Sequence, residues 1–304
     1  MAHGRSIRIY LADGSASGIR HAEVVNWTGQ AIVCPRARIG ELSSWLESQR
    51  PGVYMLIGDD PEGTRPLAYI GEAENVLTRL KTHTKDDTKE FFDQVVFFTS
   101  KDENLTKSHV KYLEARMVTI ALQVDRVTLK NGNAPNLPAL PRADRDAMEE
   151  FLGPARLLLA ALGFNALQPI TKKVGVETDE VGPSGPLSGT TLFFRVKKRG
   201  INATGASTDE GFVVMEGSIG DAEVRSSLSK GWRALREDHI ADGSIVQEGD
   251  AIRFTRDVLF SSPSAAAAVV AGGVWNGRAG WKDEHGTTLG DLEDALVGDH
   301  GEDA

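Results

Sequence analysis

A mixed α+β fold in two domains is what the sequence predicts, and three observations carry that expectation. Short alternating or continuous apolar segments bounded by turn residues fill the first third of the chain, which is the pattern of strands. Two long segments, 105–124 and 144–162, repeat their apolar residues at three- and four-residue steps, as helices do. Residues 175–189 carry Gly, Pro, Ser and acidic side chains with little hydrophobicity and read as a linker between folded units. A chain of 304 residues is long enough for two such units.

Taken in order, Ser6–Leu11 alternates, with Ile7, Ile9 and Leu11 on one face, and Asp13-Gly14 follows as a turn signal. His21–Asn26 and Gln30–Cys34 read as two further strands joined near Thr28-Gly29, and Ile39–Glu47 as a short helix ending before Arg50-Pro51. From Gly52 onward, Val53–Ile57, Leu67–Ile70 and Val95–Phe98 are strand segments, with a long turn at Gly58–Gly63. Glu74–His83 and Leu105–Val124 have helical spacing, the second with Val110, Leu113, Met117, Ile120, Ala121 and Val124 on its apolar face and Asn104 in position to cap it. Asn131–Pro141 is a loop, and Asp144–Leu162 a helix ending at Gly163.

Beyond the linker, Leu192–Val196, Phe212–Met215 and Ile252–Thr255 read as strands and Glu223–His239 as a helix. Ser262 as N-cap and Pro263 at the first helical position begin another helix, which Gly272-Gly273 stops. The expected division is a β-rich extension (1–50), a central domain with a C-terminal helix (51–170), a linker (171–189), a separate α+β unit (190–292) and a disordered acidic tail (293–304).

Composition excludes collagen, wholesale disorder and disulfide scaffolds. With one cysteine, Cys34, no internal disulfide can form. Met1–Ile9 has no apolar run of signal-peptide length, and Ala265–Ala271 is far short of the ~20 apolar residues of a membrane span. The expectation is a cytoplasmic protein with no membrane partner. Eight of the net nine negative charges fall in residues 283–304, which hold no Lys or Arg, so the rest of the chain stands at −1. An anionic partner is therefore neither excluded nor advertised.

Chemistry concentrates between Gly52 and Glu114. Gly52-Val53-Tyr54 and Tyr69-Ile70-Gly71 place a tyrosine in or at the end of each of two strands, so both phenols can share one face of a small sheet. Tyrosine is also simply a good strand residue. Arg79 and His83 share a helix face at a four-residue step, a pairing that suits a phosphate, although a solvated surface has the same pattern. Glu114 lies inside an apolar helix face beside Val110, Met117 and Val118, where a carboxylate persists only when paired or metal-bound. The alternative is a rim Glu paired with Lys107 or Lys111. Cys-x-x-Cys, His-Glu-x-x-His and Gly-x-x-x-x-Gly-Lys patterns are absent from the sequence.

Together, Gly52-Val53-Tyr54, Tyr69-Ile70-Gly71, Arg79, His83 and Glu114, in this order on strand, strand, helix, helix, strand and helix, resemble the GIY-YIG nuclease domain. The resemblance covers 52–136, with Val53 in place of the usual Ile and a rather long interval of fourteen residues between Tyr54 and Tyr69. It implies a three-stranded sheet flanked by helices, preceded here by the N-terminal strands. It implies a metal-dependent endonuclease acting on DNA, single- or double-stranded.

Carried over residue by residue, Glu114 would be the protein ligand of one Mg²⁺ or Mn²⁺, Tyr54 the general base or the group that orients the attacking water, Arg79 the phosphate clamp, and Tyr69 and His83 the hydrogen-bonding shell. A phenolic base needs neighbouring cations, because tyrosine ordinarily titrates near pH 10. A later Asn supports the site in the family; Asn131, Asn133 and Asn136 all fall in the right region, with Asn131, beside Gly132, preferred. Lys81, Lys107 and Lys111 are further candidate DNA contacts. The N-terminal strands, the Asn104–His109 helix start and the Phe260–Ala267 stretch look like bacterial GIY-YIG proteins with an appended domain of unknown function. In that appended part, the basic run from Arg195 to Arg199 could touch phosphates, and Trp232, Trp275 and Trp281 are expected to pack rather than stack on bases. The other reading open to the sequence is a catalytically silent nucleic-acid-binding or regulatory protein that keeps the fold.

Overall fold

The computed structural model describes residues 4–61, 65–132, 135–169, 187 and 190–299. The chain divides into two units, Met1–Gln168 and Pro169–Ala304, both mixed α+β and each built on its own sheet. Most of the expected 175–189 linker lies outside the described residues. Among the described residues, no helix is long and apolar enough to cross a membrane.

In the first unit, β1 (Ile7–Leu11), β2 (Arg20–Val24), β3 (Gly29–Pro35), β4 (Gly52–Gly58), β5 (Leu67–Ala73), β6 (Gln94–Ser100) and β7 (Thr128–Leu129) form one seven-stranded sheet in the order β1-β2-β3-β6-β4-β5-β7. The sequence reading expects three strands there. The sheet is larger because β3, an apolar segment buried on both faces, pairs antiparallel with β6 from Gly29↔Ser100 to Pro35↔Gln94. The N-terminal strands thus continue the sheet that carries the two tyrosines.

One face of this sheet packs on α2 (Lys107–Val124) and α3 (Arg142–Ala161), with Val53, Met55, Ile70, Val96 and Phe98 meeting Val110, Leu113, Met117, Leu158 and Leu159 in a single core. The other face, with Tyr54, Leu56, Val95 and Phe97, packs on α1 (Val76–His83) and on the turns that follow β3. Strand alternation divides the residues in this way. Helices α2 and α3 are further tied by Glu149, which accepts from Tyr112 Oη and Arg116 Nε, both at 2.6 Å.

Four sequence expectations need correction or qualification. Residues 39–47 form no α-helix; two 3₁₀ segments, Arg36–Ser44 and Leu46–Gln49, stand there. The Ser43 and Ser44 hydroxyls donate to the carbonyls three residues back, which favours the tighter turn. Helix α2 is capped by Thr106 rather than Asn104, in a capping box whose second partner is the imidazole of His109. Residues 223–229 are not helical, and α4 spans Lys230–Ala241. There the Glu223 amide donates to Asp221 Oδ1 and the Arg225 amide to the Gly272 carbonyl, so the backbone is bound elsewhere. Finally, residues 293–299, expected to be disordered, belong to helix α7 (Leu289–Asp299), where Arg278 holds Glu293 at 2.6 Å and Asp294 at 2.7 Å.

The second unit has β8 (Leu192–Val196), β9 (Ile201–Thr208), β10 (Gly211–Val214), β11 (Ile219–Asp221), β12 (Ile245–Glu248), β13 (Ala251–Phe254) and β14 (Val258–Phe260). They run β12-β13-β11-β9-β10-β14, with β8 paired to β9. Helix α5 (Pro263–Ala271) is capped by Ser262 and stopped by Gly272 at φ 61°, and every residue from Ala265 to Ala271 is buried. Its small side chains let the sheet come close: a Cβ on Gly220 would sit 2.4 Å from the Val270 carbonyl oxygen. After the short helix α6 (Gly277–Gly280), Trp281 is fully buried with its indole N–H on the Pro263 carbonyl, while Trp232 and Trp275 pack at the margin of the core.

A sheet and an apolar core confined to 190–299 should fold without the rest of the chain. Residues 187–304 expressed alone should give one cooperative thermal transition and a dispersed amide spectrum; a collapsed spectrum would show that the unit depends on residues 1–168.

Candidate active site at the end of strand β5

Strands β4 and β5 pair antiparallel with Tyr54 opposite Gly71 and Leu56 opposite Tyr69. The two rings lie on the α1 face, 6.4 Å apart, and the His83 ring stands 5.5 Å from each. The glycines of both triplets are there for space. A Cβ on Gly71 would meet the Tyr54 hydroxyl at 2.4 Å, and one on Gly52 would meet the Phe98 carbonyl oxygen at 2.5 Å. The phenol of Tyr54 therefore reaches its position only by crossing a strand that lacks a side chain.

Tyr54 is fully buried, and its hydroxyl is held at two points. Arg79 Nε donates to it at 3.3 Å, and it lies 2.7 Å from His83 Nε2. The phenol can donate to His83 Nε2 while accepting from Arg79, an arrangement in which the imidazole carries its own proton on Nδ1. That Nδ1 is buried and has no hydrogen-bond partner among the described residues. Burial, helped by the charges of Arg79 and Lys89, lowers His83 to about 4, so it is neutral at physiological pH. Burial also pushes the Tyr54 phenol up from its ordinary value, against the pull of Arg79. The sequence reading expects cations to lower that pKa, but desolvation wins.

An open cavity of about 540 Å³ lies beside this cluster, lined among others by Tyr54, Tyr69, Glu72, Glu74, Arg79, Lys107 and Glu114. It reaches both faces of the sheet at the end of β5, because Glu72 follows Gly71 on the α2 side while the tyrosines lie on the α1 side. Glu114 is half-buried and makes no hydrogen bond or ion pair among the described residues. Burial raises it to about 7, and the carboxylate of Glu72 adds to the shift. Lys107, which could have paired with Glu114, stands 3.0 Å from Glu72 and 3.9 Å from Glu74. Glu72 Oε2 is buried and, despite that ion pair, lies outside hydrogen-bonding geometry. Glu114, with no pair, and Glu72, held by Lys107, present carboxylates to one open cavity, a donor set that fits a hard cation keeping several waters.

Of the residues singled out in the sequence, Tyr54, Tyr69, Arg79, Lys107 and Glu114 line this one cavity, and His83 backs it. Lys81 and Lys111 are exposed on α1 and α2 and do not line it. Asn131 lies outside it as well: its side-chain amide donates to the Ile70 carbonyl at 2.8 Å and accepts from the Ile70 amide at 3.0 Å, holding β5 in place. Asn133 lies outside the described residues, and Asn136 is not among the cavity residues. Glu72 was missed, although strand alternation from Tyr69 marks it as facing the Glu114 side. Lys89 was missed too; its ammonium lies 3.7 Å from the Tyr69 ring centroid, a tertiary contact with no sequence signature.

Comparison with known proteins reaches only the second unit. Residues 193–293 match a domain of unknown function, DUF4357. Neither the curated proteins nor the solved structures contain a match to the chain. In the DUF4357 region Arg195 stacks on Phe193 at 4.0 Å and Arg199 pairs with Asp221 at 2.6 Å, so two of the four cations in the basic run have partners within the unit.

Two predictions follow from this geometry. Gly71→Ala should cost about 1–3 kcal/mol by overpacking against Tyr54. Tyr54→Phe should relieve part of that cost, so a double-mutant cycle in urea should show favourable coupling. The second concerns pH. A lowered His83 makes stability fall as pH drops from 6.5 towards 4, and a raised Glu114 makes it fall as pH climbs from 4.5 towards 7, so the two oppose each other over the shared range. Glu114→Gln leaves only the histidine effect. Its stability should rise with pH more steeply than the wild type's between about pH 4.5 and 7, and exceed the wild type's at pH 8; parallel curves would show that Glu114 titrates normally.

Proposed function

We propose that the protein is a metal-dependent endonuclease of the GIY-YIG kind, hydrolysing phosphodiester bonds in DNA. One observation carries this reading: Tyr54, Tyr69, Arg79 and Glu114 converge on one cavity from two strands and two helices, with the Tyr54 hydroxyl held between Arg79 and His83. A carboxylate for a cation, a guanidinium for a phosphate and a hydrogen-bonded phenol are the parts that water attack on a phosphodiester requires. When bound at Glu114, Mg²⁺ or Mn²⁺ supplies positive charge to the scissile phosphate and the leaving oxygen.

The chain's own residues account for the proton. The raised Tyr54 cannot rest as a phenolate, so it acts as a relay. As the attacking water gives its proton to the Tyr54 oxygen, Tyr54 gives its own to His83 Nε2, which is neutral and able to accept. The water oxygen forms a bond to phosphorus and the bond from phosphorus to the leaving oxygen breaks. Burial is the main cause of the low His83, and an anionic phosphate in the cavity offsets the charge of Arg79 that adds to it, so substrate binding makes the imidazole a better base. Arg79 neutralises charge on the phosphate while fixing the phenol.

In a plasmid-nicking assay, cleavage should require Mg²⁺ or Mn²⁺ and stop with chelator, and Glu114→Gln should abolish it in a folded protein. Wild-type activity in that variant would remove Glu114 from the mechanism. Arg79→Ala and Tyr54→Phe should each lower the single-turnover rate on the order of 10²–10³-fold, by about 2.7–4 kcal/mol, with little change in affinity. Arg79→Lys should not rescue, because a point charge lacks the planar fork. An equal drop in affinity and rate for Arg79→Ala would mean that the arginine only holds DNA.

A further inference from the structure

The charge around the Tyr54–Tyr69 cluster is divided. Glu72, Glu74 and Glu114 line the cavity together with Arg79 of α1, while Lys89, in the turn after α1, is not among the lining residues and meets the site through the Tyr69 ring. Arg79 has a partner in Tyr54; Lys89 does not have a carboxylate. Its ammonium lies 3.7 Å from the centre of the Tyr69 ring and makes no ion pair within 4 Å among the described residues. Asp86, whose charge does act on Lys89, has its carboxylate engaged within its own turn: it accepts from the Thr88 amide at 3.0 Å and the Thr88 hydroxyl at 2.7 Å. Lys89 is half-buried, and burial lowers its pKa. A lysine that only needed solvation would extend into water.

The position of Lys89 is enforced from outside its own turn. Arg36, just after β3, donates to the carbonyls of Lys89 at 2.7 Å, Thr84 at 3.3 Å and Phe92 at 3.5 Å, and stacks on the Phe92 ring at 4.4 Å. The Arg36 amide adds a bond to the Asp93 carbonyl at 2.7 Å. Three carbonyls spread over the loop between α1 and β6 are thus gathered on one guanidinium, and the loop is preorganised with its lysine against Tyr69.

We propose that Lys89 is a phosphate-binding residue, gripping a backbone phosphate of the nucleic acid that enters the Tyr54–Tyr69 cavity, with Tyr69 as the platform that aims it. The proposal rests on the nuclease reading for the identity of the ligand. Lys89 contributes binding alike to substrate and transition state, unlike Arg79, and therefore acts on affinity and KM rather than on the chemical step. The N-terminal strands acquire a role through Arg36, which fixes the loop carrying this contact.

The test uses the full chain, a short DNA duplex and chelator, so that binding is read without cleavage. Lys89→Met keeps the aliphatic stem on Tyr69 and removes the charge; Lys89→Arg keeps the charge. The slope of log Kd against log salt should become shallower by about 0.9 in Lys89→Met, one phosphate contact, and return to the wild-type value in Lys89→Arg. At fixed salt the Kd of Lys89→Met should rise, while that of Lys89→Arg should stay near the wild-type value. An unchanged slope in Lys89→Met while the wild type cuts DNA would overturn the proposal and leave Lys89 as packing for Tyr69. A shallower slope in a wild-type protein that never cuts would keep the phosphate contact and sink the nuclease reading. No salt-dependent binding by the wild type would sink both.

Discussion

The hydroxyl of Tyr54 is the point on which the first unit's chemistry turns, because it is buried, polar and able to sit in one place only. A buried hydroxyl without partners costs on the order of 1–3 kcal/mol, so it must be met from both sides. Arg79 and His83 meet it, and both come from α1, one turn apart on the same face. The helix is fixed in turn by its Asn75 cap and by Val76, Leu77 and Leu80 in the core beneath. Gly71 is the complement of this arrangement, since the ring crosses β5 at the only residue type that leaves room. Strand pairing, helix placement and glycine position are one constraint expressed three times.

That constraint separates the charges. The α1 side holds Arg79 beside an imidazole kept neutral by burial, and the α2 side holds Glu72 and Glu114 with Lys107. If Arg79 had paired with Glu114, both would have been neutralised and the cavity would offer nothing to a phosphate or to a cation. Instead Lys107 answers Glu72, and Glu114 is left in surroundings that penalise its charge. A carboxylate in that condition is stabilised by whatever positive charge arrives, which is the physical sense in which the site is ready for a ligand.

Much of this was legible in the sequence because it is carried by local pattern. The tyrosine triplets lie on alternating strands, Arg79 and His83 differ by four on a helix, and Glu114 interrupts an apolar stripe; each is visible without tertiary information. What was not legible depends on partners distant in the chain. The seven-stranded extent of the sheet follows from β3 pairing with β6, some sixty residues away. Lys89 reaches Tyr69 only because Arg36 gathers the loop. Helix α7 includes acidic residues that look disordered in isolation because Arg278 neutralises them. The Tyr54 phenol was expected to be lowered by cations, and desolvation, which a sequence does not show, decided otherwise.

Asn131 shows how such a site can be insulated from its surroundings. Its carboxamide presents one donor and one acceptor to Ile70, the same pair that a peptide group of a neighbouring strand would present. The side chain stands in for a rung of the ladder at the place where β7 ends after two residues. The main chain is thereby released from the sheet without leaving β5 unsatisfied beside Tyr69 and Gly71. Residues after 131 can then lengthen or shorten with little mechanical effect on the cavity, because doubling a loop costs only about 0.6 kcal/mol of closure entropy. The segment joining the first sheet to α3 is, in evolutionary terms, open to drift in size while the geometry upstream of it is held by one amide.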